Sequence, residues 1–181
     1  MSQCTTLSAH LSVESAANYV ADFKGDSSLQ DEGGAKALFW AQQQQNLEPA
    51  CIVHVSAAED IAMVLSTCRS TGCPFAIRGG GHSDKPGDSN ISGGITVNMA
   101  GLSDVQVDKE AKVAKIGAGA KWGAVFNELD KTNHTVVGGR LTDVGVGGLT
   151  LGGGLSHLSG LHGWACDNVR NYEVSKACFV Q

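Results

Sequence analysis

The chain has 181 residues, 42% of them hydrophobic, and its 13 basic and 18 acidic residues leave a formal charge of −5 at pH 7. At this length folding buries roughly 70% of the surface exposed by the unfolded chain, so one substantial core or two small lobes can form without a structural staple. No polybasic run exists to track a phosphate backbone, which argues against nucleic acid as a partner, and no window of 18 apolar residues suggests a spanning helix.

The first 46 residues read as a helical preamble, ahead of one main domain over 47–181. Its parts are an amphipathic segment over 12–23, a loop containing Gly25, Gly33 and Gly34, and a second helical stretch over 35–45 that carries four consecutive glutamines. The first 25 residues lack a basic n-region followed by an unbroken apolar run, so no secretory signal is expected and the cytoplasm is the default compartment. The sequons at Asn90 and Asn133 would matter only on a secretory route. Six cysteines (Cys4, Cys51, Cys68, Cys73, Cys166, Cys178) are too few for a disulfide scaffold, and none forms a CxxC pair, so they read mostly as buried thiols, and no metal site is expected.

Sharper signals begin at Pro49. Residues 51–55 read as a short strand. Ser56 with Glu59 three residues on has the form of a capping box opening a helix. Ile61, Val64, Leu65 and Cys68 then fall on one helical face, Gly72 ends the helix, and Pro74 prevents its resumption. Residues 75–77 form the next strand, completing a β-α-β unit that runs into Gly79-Gly80-Gly81. Ile95, Val97 and Met99 alternate with polar residues, Val105 and Val107 flank Gln106, and Val113 and Ile116 lie in another short run. These read as three closely connected, antiparallel strands. Trp122, Val125, Phe126 and Leu129 mark a second amphipathic helix. From Gly138 to Gly163 ten of 26 residues are glycine, and residues 172–180 read as a final strand.

Three fixed glycines in succession disfavour the folded state by roughly 2 kcal/mol relative to alanine. Without Cβ atoms, however, successive N–H groups can converge on an anion such as a pyrophosphate, with Arg78 adding charge at the rim. Glycine clusters are most often turns or linkers. Here the first cluster abuts an apolar strand, and the second has Val144, Val146, Leu149 and Leu151 threaded through it, side chains for which a flexible linker has no use. Two familiar phosphate motifs fail: GxGxxG from Gly145 meets Thr150, and a Walker A loop ending at Lys121 meets Ala120 and Trp122. His82 would be the first reactive group beside whatever the loop holds, and neutral imidazole is a competent nucleophile. His157 and His162 lie in the second tract and could line its ligand.

Four ordered stretches, AIRGGGHS (76–83), GAGAKWGAVFNEL (117–129), VVGGR with VGVGGLTLGGG (136–154) and GWACDNVRNYEV (163–174), resemble the FAD-binding domain of the berberine-bridge-enzyme-like oxidoreductases of the vanillyl-alcohol-oxidase superfamily, the fungal oxidases above all. The resemblance implies an α+β, PCMH-type flavin domain of two subdomains with FAD laid between them, incomplete at its C-terminus, with the substrate domain absent. On this basis the backbone of Gly79, Gly80, Gly81 and Ser83 cradles the pyrophosphate, with Arg78 beside it among the cofactor-binding residues, and His82 matches the position that bonds covalently to the flavin 8α-methyl. Gly139, Arg140, Val144, Gly145, Gly147 and Gly148 pass close to the flavin, and Asn168 and Val174 lie near the cofactor's far end. The segment 140–143 lacks the cysteine that makes a second flavin bond in some relatives, so one covalent bond at most is expected. The implied activity is oxidation of an alcohol, sugar or amine with oxygen as acceptor; no catalytic base can be named. The alternative is a flavin-binding module without turnover, with a partner chain or self-association covering an exposed face.

Overall fold

The computed structural model describes residues 20–21 and 39–176. By internal packing the chain divides into two compact units, Met1–Gly101 with Val174–Gln181 and Leu102–Glu173.

In the first unit, strands β1 (Val20–Ala21), β2 (Cys51–His54), β3 (Phe75–Arg78) and β4 (Ile95–Asn98) form one sheet in the order β1-β2-β4-β3. β1 is antiparallel to β2, while β4 runs parallel to both β2 and β3. This corrects two expectations. Val20–Ala21 lie in a strand, not a helix; the rest of the segment expected to be helical over 12–23 lies outside the described residues. β4 is not part of an antiparallel run: the loop 79–94 carries the chain back so that β4 inserts between β2 and β3. A central parallel strand is covered on both faces, so Ile95, Thr96, Val97 and Asn98 are all buried despite their apolar-polar alternation.

Helix α1 (Gln42–Gln45), a single turn, supplies only Gln44 to the interior, whereas helix α2 (Ala58–Thr71) lays Val64, Thr67 and Cys68 inward. Of the stretch expected to be helical over 35–45, residues 39–41 are not helical and 35–38 lie outside the described residues. The capping box at the start of α2 is displaced by one residue. Asp60, not Glu59, reaches back, its Oδ2 accepting the N–H groups of Ser56 (2.9 Å) and Ala57 (3.0 Å). The helix therefore starts one residue later, at Ala58, and its acidic partner moves with it. Gly72 ends the helix at φ 68°, a left-handed conformation that glycine adopts without steric cost. Around this frame Ile52, Val53, Val55, Val64, Ile95 and Val97 are fully buried, each contributing about 1.5–3 kcal/mol. Cys68 and Cys73 are buried thiols outside any disulfide, and burial pushes Cys68 up to about 11, which keeps it protonated and inert at neutral pH. Cys51 departs from the expected set of thiols: it is disulfide-bonded.

The segment 39–47 is tied to the loop 79–94 by a buried polar zip. Asn90 donates through Nδ2 to the carbonyls of Gln44 (2.8 Å) and Leu47 (3.1 Å), donates its own N–H to Gln44 Oε1 (3.0 Å), and accepts from Thr96 Oγ1 (2.8 Å). Gln44 Nε2 donates to the Lys85 carbonyl. With its side chain so committed and 1% exposed, the Asn90 sequon is closed to modification in the folded state.

In the second unit, β5 (Val105–Asp108) and β6 (Val113–Ile116) form the expected antiparallel hairpin. Helix α3 (Trp122–Asp130) packs Trp122, Val125 and Leu129 into a core with Ala120 and Val146. The Trp122 indole lies directly on Gly138 and Gly139, where an added Cβ would stand 2.2 Å and 2.5 Å from ring carbons. Close approach of this ring explains these two glycines. Helices α4 (Val146–Leu151) and α5 (Ser159–His162) interrupt the second glycine tract, and a 3-10 turn over Cys166–Asn168 follows. Tyr172–Lys176 have no regular structure, so the expected last strand does not form there; 177–180 lie outside the described residues.

Replacing Asn90 with alanine strands the carbonyls of Gln44 and Leu47 and the Thr96 hydroxyl, while the main-chain bond to Gln44 Oε1 survives. Asn90→Ala is expected to cost about 3 kcal/mol in chemical denaturation. A loss below about 1 kcal/mol would show that the zip does not hold the segment 39–47 to the loop.

Candidate functional site

The three parallel strands end in register, setting His54 beside Asn98 and Asn98 beside Arg78. In open parallel sheets this carboxyl end is where ligands bind. Asn98 links the row: its Oδ1 accepts from Arg78 Nη1 (2.7 Å) and from the Ala100 N–H (3.2 Å), and its Nδ2 lies 2.8 Å from His54 Nδ1. The amide nitrogen can only donate, so His54 Nδ1 is the acceptor and its proton sits on Nε2. Burial, and then the nearby Arg78 charge, hold His54 below its ordinary pKa. Arg78 is 6% exposed, with its guanidinium 5.7 Å from the centre of the Phe39 ring. It is therefore a buried strut beneath the glycine loop, not a charge at its rim; bonding to Asn98 draws it inward.

Above this row runs Gly79–Ser83. Gly81 takes φ 70°, which turns successive N–H groups in the way an anion nest requires. Among the described residues, nothing accepts a hydrogen bond from the N–H groups of residues 79 to 83. Five adjacent unpaired donors are unusual, because buried or half-buried main-chain N–H groups nearly always have partners. Their chemistry suits the oxygens of a pyrophosphate, which accept from several N–H groups at once. The Ser83 hydroxyl is spent on Asp88 Oδ2 (2.6 Å) and on the Lys85 N–H (3.2 Å), so Ser83 offers its main chain only.

His82 follows immediately. Its ring stacks on Trp40, with centroids 5.9 Å apart and planes inclined by 11°, and the Trp40 N–H donates to the Gly81 carbonyl (3.0 Å). Trp40, Asn98, His54 and Gln44 were invisible to the sequence reading. Their partners lie tens of residues away, and only the pairing of β4 between β2 and β3 brings the row together.

In the second unit the chain from Thr142 to Val146 pairs with 120–123, which sets Gly145 opposite Lys121. Gly145 and Val144 hold that pairing and Gly139 lies under Trp122, whereas Arg140 is exposed. Gly147 packs against the Ala118 carbonyl, 2.9 Å from an added Cβ, whereas Gly148 is exposed with nothing within 4 Å of that position. A ligand could approach the backbone at Gly148. The Trp122 Nε1 and Thr150 Oγ1 atoms are buried without a partner among the described residues. Asn168 donates through Nδ2 to the carbonyls of His162 (2.9 Å) and Trp164 (2.8 Å), a bond pattern that closes its own turn. Val174 belongs to the first unit and is exposed, as are His157 and His162 in the second.

Comparison with known proteins gives the family. A family profile described as FAD binding domain matches residues 49–177. An FAD-dependent monooxygenase of Fusarium proliferatum, FUP4, is 69% identical over 96% of this chain and 34% of its own length. Another, tpcD of Cochliobolus heterostrophus, is 63% identical over 94% and 33%. The solved glucooligosaccharide oxidase of Acremonium strictum, described as carrying a 6-S-cysteinyl, 8α-N1-histidyl FAD, is similar with a TM-score of 0.71 and 28% identity over 91% of this chain and 33% of its own. The chain belongs to the FAD-binding domain family, with the α+β fold expected and FAD as its cofactor. It spans about a third of the length of these relatives.

The lowered His54 pKa has a thermodynamic consequence. Below the ordinary value of 6.5 the unfolded chain takes up a proton that the folded chain refuses until its own lower pKa is reached. This contribution to stability is full above 6.5 and is lost as pH falls through that window. The urea midpoint should therefore fall more steeply between pH 7 and pH 5.5 in the wild type than in His54→Gln. Parallel pH profiles would show that His54 is not held neutral by its surroundings.

Proposed function

We propose that this chain is the FAD-holding part of an oxidoreductase in which the N–H groups of Gly79, Gly80, Gly81, His82 and Ser83 bind the cofactor's pyrophosphate and His82 carries the flavin covalently. The observation that carries this reading is the run of five unpaired main-chain donors, free of side chains over its first three residues and ending beside an imidazole. Arg78 adds positive potential from beneath the loop. On this reading Gly139, Arg140, Val144, Gly145, Gly147 and Gly148 lie along the path of the flavin, with open space beside the backbone at Gly148, and Asn168 and Val174 serve the cofactor's far end.

FAD supplies the redox chemistry, accepting a hydride at N5, and the protein's task is to hold and orient it. His82 contributes a ring nitrogen to a bond with the 8α carbon. One methyl hydrogen and the imidazole N–H hydrogen leave, and dioxygen takes the released electron pair with both protons to become peroxide. The histidyl flavin named for the Acremonium oxidase supports this assignment. The absence of cysteine from 140–143 supports a single bond, unlike the two linkages named for that enzyme. The substrate class we infer is a small alcohol, sugar or amine, with oxygen as electron acceptor. The second reading is a flavin-binding module without turnover, in which a partner chain or self-association would complete the pocket.

Protein saturated with FAD should be yellow, and the colour should stay with the polypeptide after acid precipitation. His82→Ala should release it to the supernatant while retaining non-covalent binding. Colourless wild-type protein would end the proposal. Gly148→Ala separates a ligand role from a structural one: in a helix it should leave stability unchanged or raise it by about 0.5–1 kcal/mol, yet weaken FAD binding at least tenfold. Unchanged affinity would remove Gly148 from the site. Turnover is read from anaerobic bleaching by alcohols, sugars or amines; if no member of a broad panel bleaches a yellow protein, the binding-module reading stands.

A further inference from the structure

The segment 39–47 meets the glycine loop at three separate points. The Phe39 ring faces the Arg78 guanidinium at 5.7 Å, the Trp40 main chain and ring engage Gly81 and His82, and the Gln44–Asn90 zip closes the far end. The central contact bears on chemistry. Among the described residues, no hydrogen bond occupies either nitrogen of His82, and Trp40 is the only ring that touches it. An imidazole attacks through a nitrogen lone pair lying in the plane of its ring. A hydrogen-bonding partner would cover that lone pair, whereas a stacked indole fixes the plane and leaves the edge open. Trp40 can do this at little structural risk, because its own side chain is 68% exposed and its attachment to Gly81 is through the main chain.

We propose that Trp40 is a positioning residue for flavin attachment: its indole holds the His82 imidazole in the one plane that presents a free ring nitrogen toward the 8α carbon. The inference rests on the reading of His82 as the attachment point. It assigns a role to a segment whose composition, a Phe-Trp pair ahead of a glutamine run, suggests none. Offset-stacked aromatic pairs are worth enough to bias a single side-chain torsion strongly, and misorientation of a reacting atom by a fraction of an ångström is felt directly in rate.

The test uses the full chain with Trp40→Ala and Trp40→Phe, each with and without His82→Ala. Two quantities are followed: the rate at which added FAD becomes acid-stable, and the dissociation constant for FAD in the His82→Ala background, where no bond can form. Trp40→Ala should slow attachment about tenfold while leaving the dissociation constant within about twofold, and Trp40→Phe should restore most of the rate. The upfield ring-current shift of the His82 ring protons should vanish in Trp40→Ala and persist in Trp40→Phe. Attachment at the wild-type rate in Trp40→Ala overturns the inference while leaving His82 as attachment point. So does a parallel loss of FAD affinity in Trp40→Ala and Trp40→Phe, which would mark Trp40 as mere support for the loop. Wild-type protein that never acquires acid-stable flavin overturns the reading of His82 and this inference with it.

Discussion

Everything in the candidate site depends on keeping five consecutive main-chain N–H groups unpaired. Left alone, a loop of this kind would fold back and satisfy its donors internally, since unmade hydrogen bonds are costly. Two layers prevent this. Beneath, the row His54–Asn98–Arg78 fixes the end of β3, where the loop begins. On the other side, residues 39–47 grip the loop through Gly81, His82, Lys85 and Asn90. The free energy stored in the open donors becomes available to an anion that satisfies them together.

That division of labour explains why polar residues are buried at the strand ends of a small sheet. Asn98 receives from a guanidinium and donates to an imidazole, so both its amide atoms are used and neither neighbour needs to move to satisfy it. Asn90 does the same at the loop's far end. Fully satisfied polar networks of this sort specify one arrangement more sharply than an apolar patch of similar area. A loop that must keep a row of donors open to one anion has use for that specificity.

The legible parts of the fold were those with a local period. The strand at 51–54, the helix faces at Val64 and Cys68 and at Trp122, Val125 and Leu129, and the hairpin at 105–116 follow from spacing within a few residues. The position of β4 did not, because a loop without a helix can return to either side of β3 and only tertiary pairing decides which. The displacement of the capping box turned on two adjacent acids, Glu59 and Asp60, which sequence cannot separate. The glycine loop and His82 were readable because absence of side chains is itself a local signal. Trp40 was not, since its significance lies in a partner 42 positions away.

The central claim, that main-chain donors at 79–83 receive the cofactor's phosphates, is tested most directly by following amide resonances of the isotopically labelled chain during titration with FAD. The account predicts that the amides of Gly79, Gly80, Gly81, His82 and Ser83 shift downfield together and saturate with a single dissociation constant. Saturation of the protein with FAD while these five resonances stay in place would contradict it.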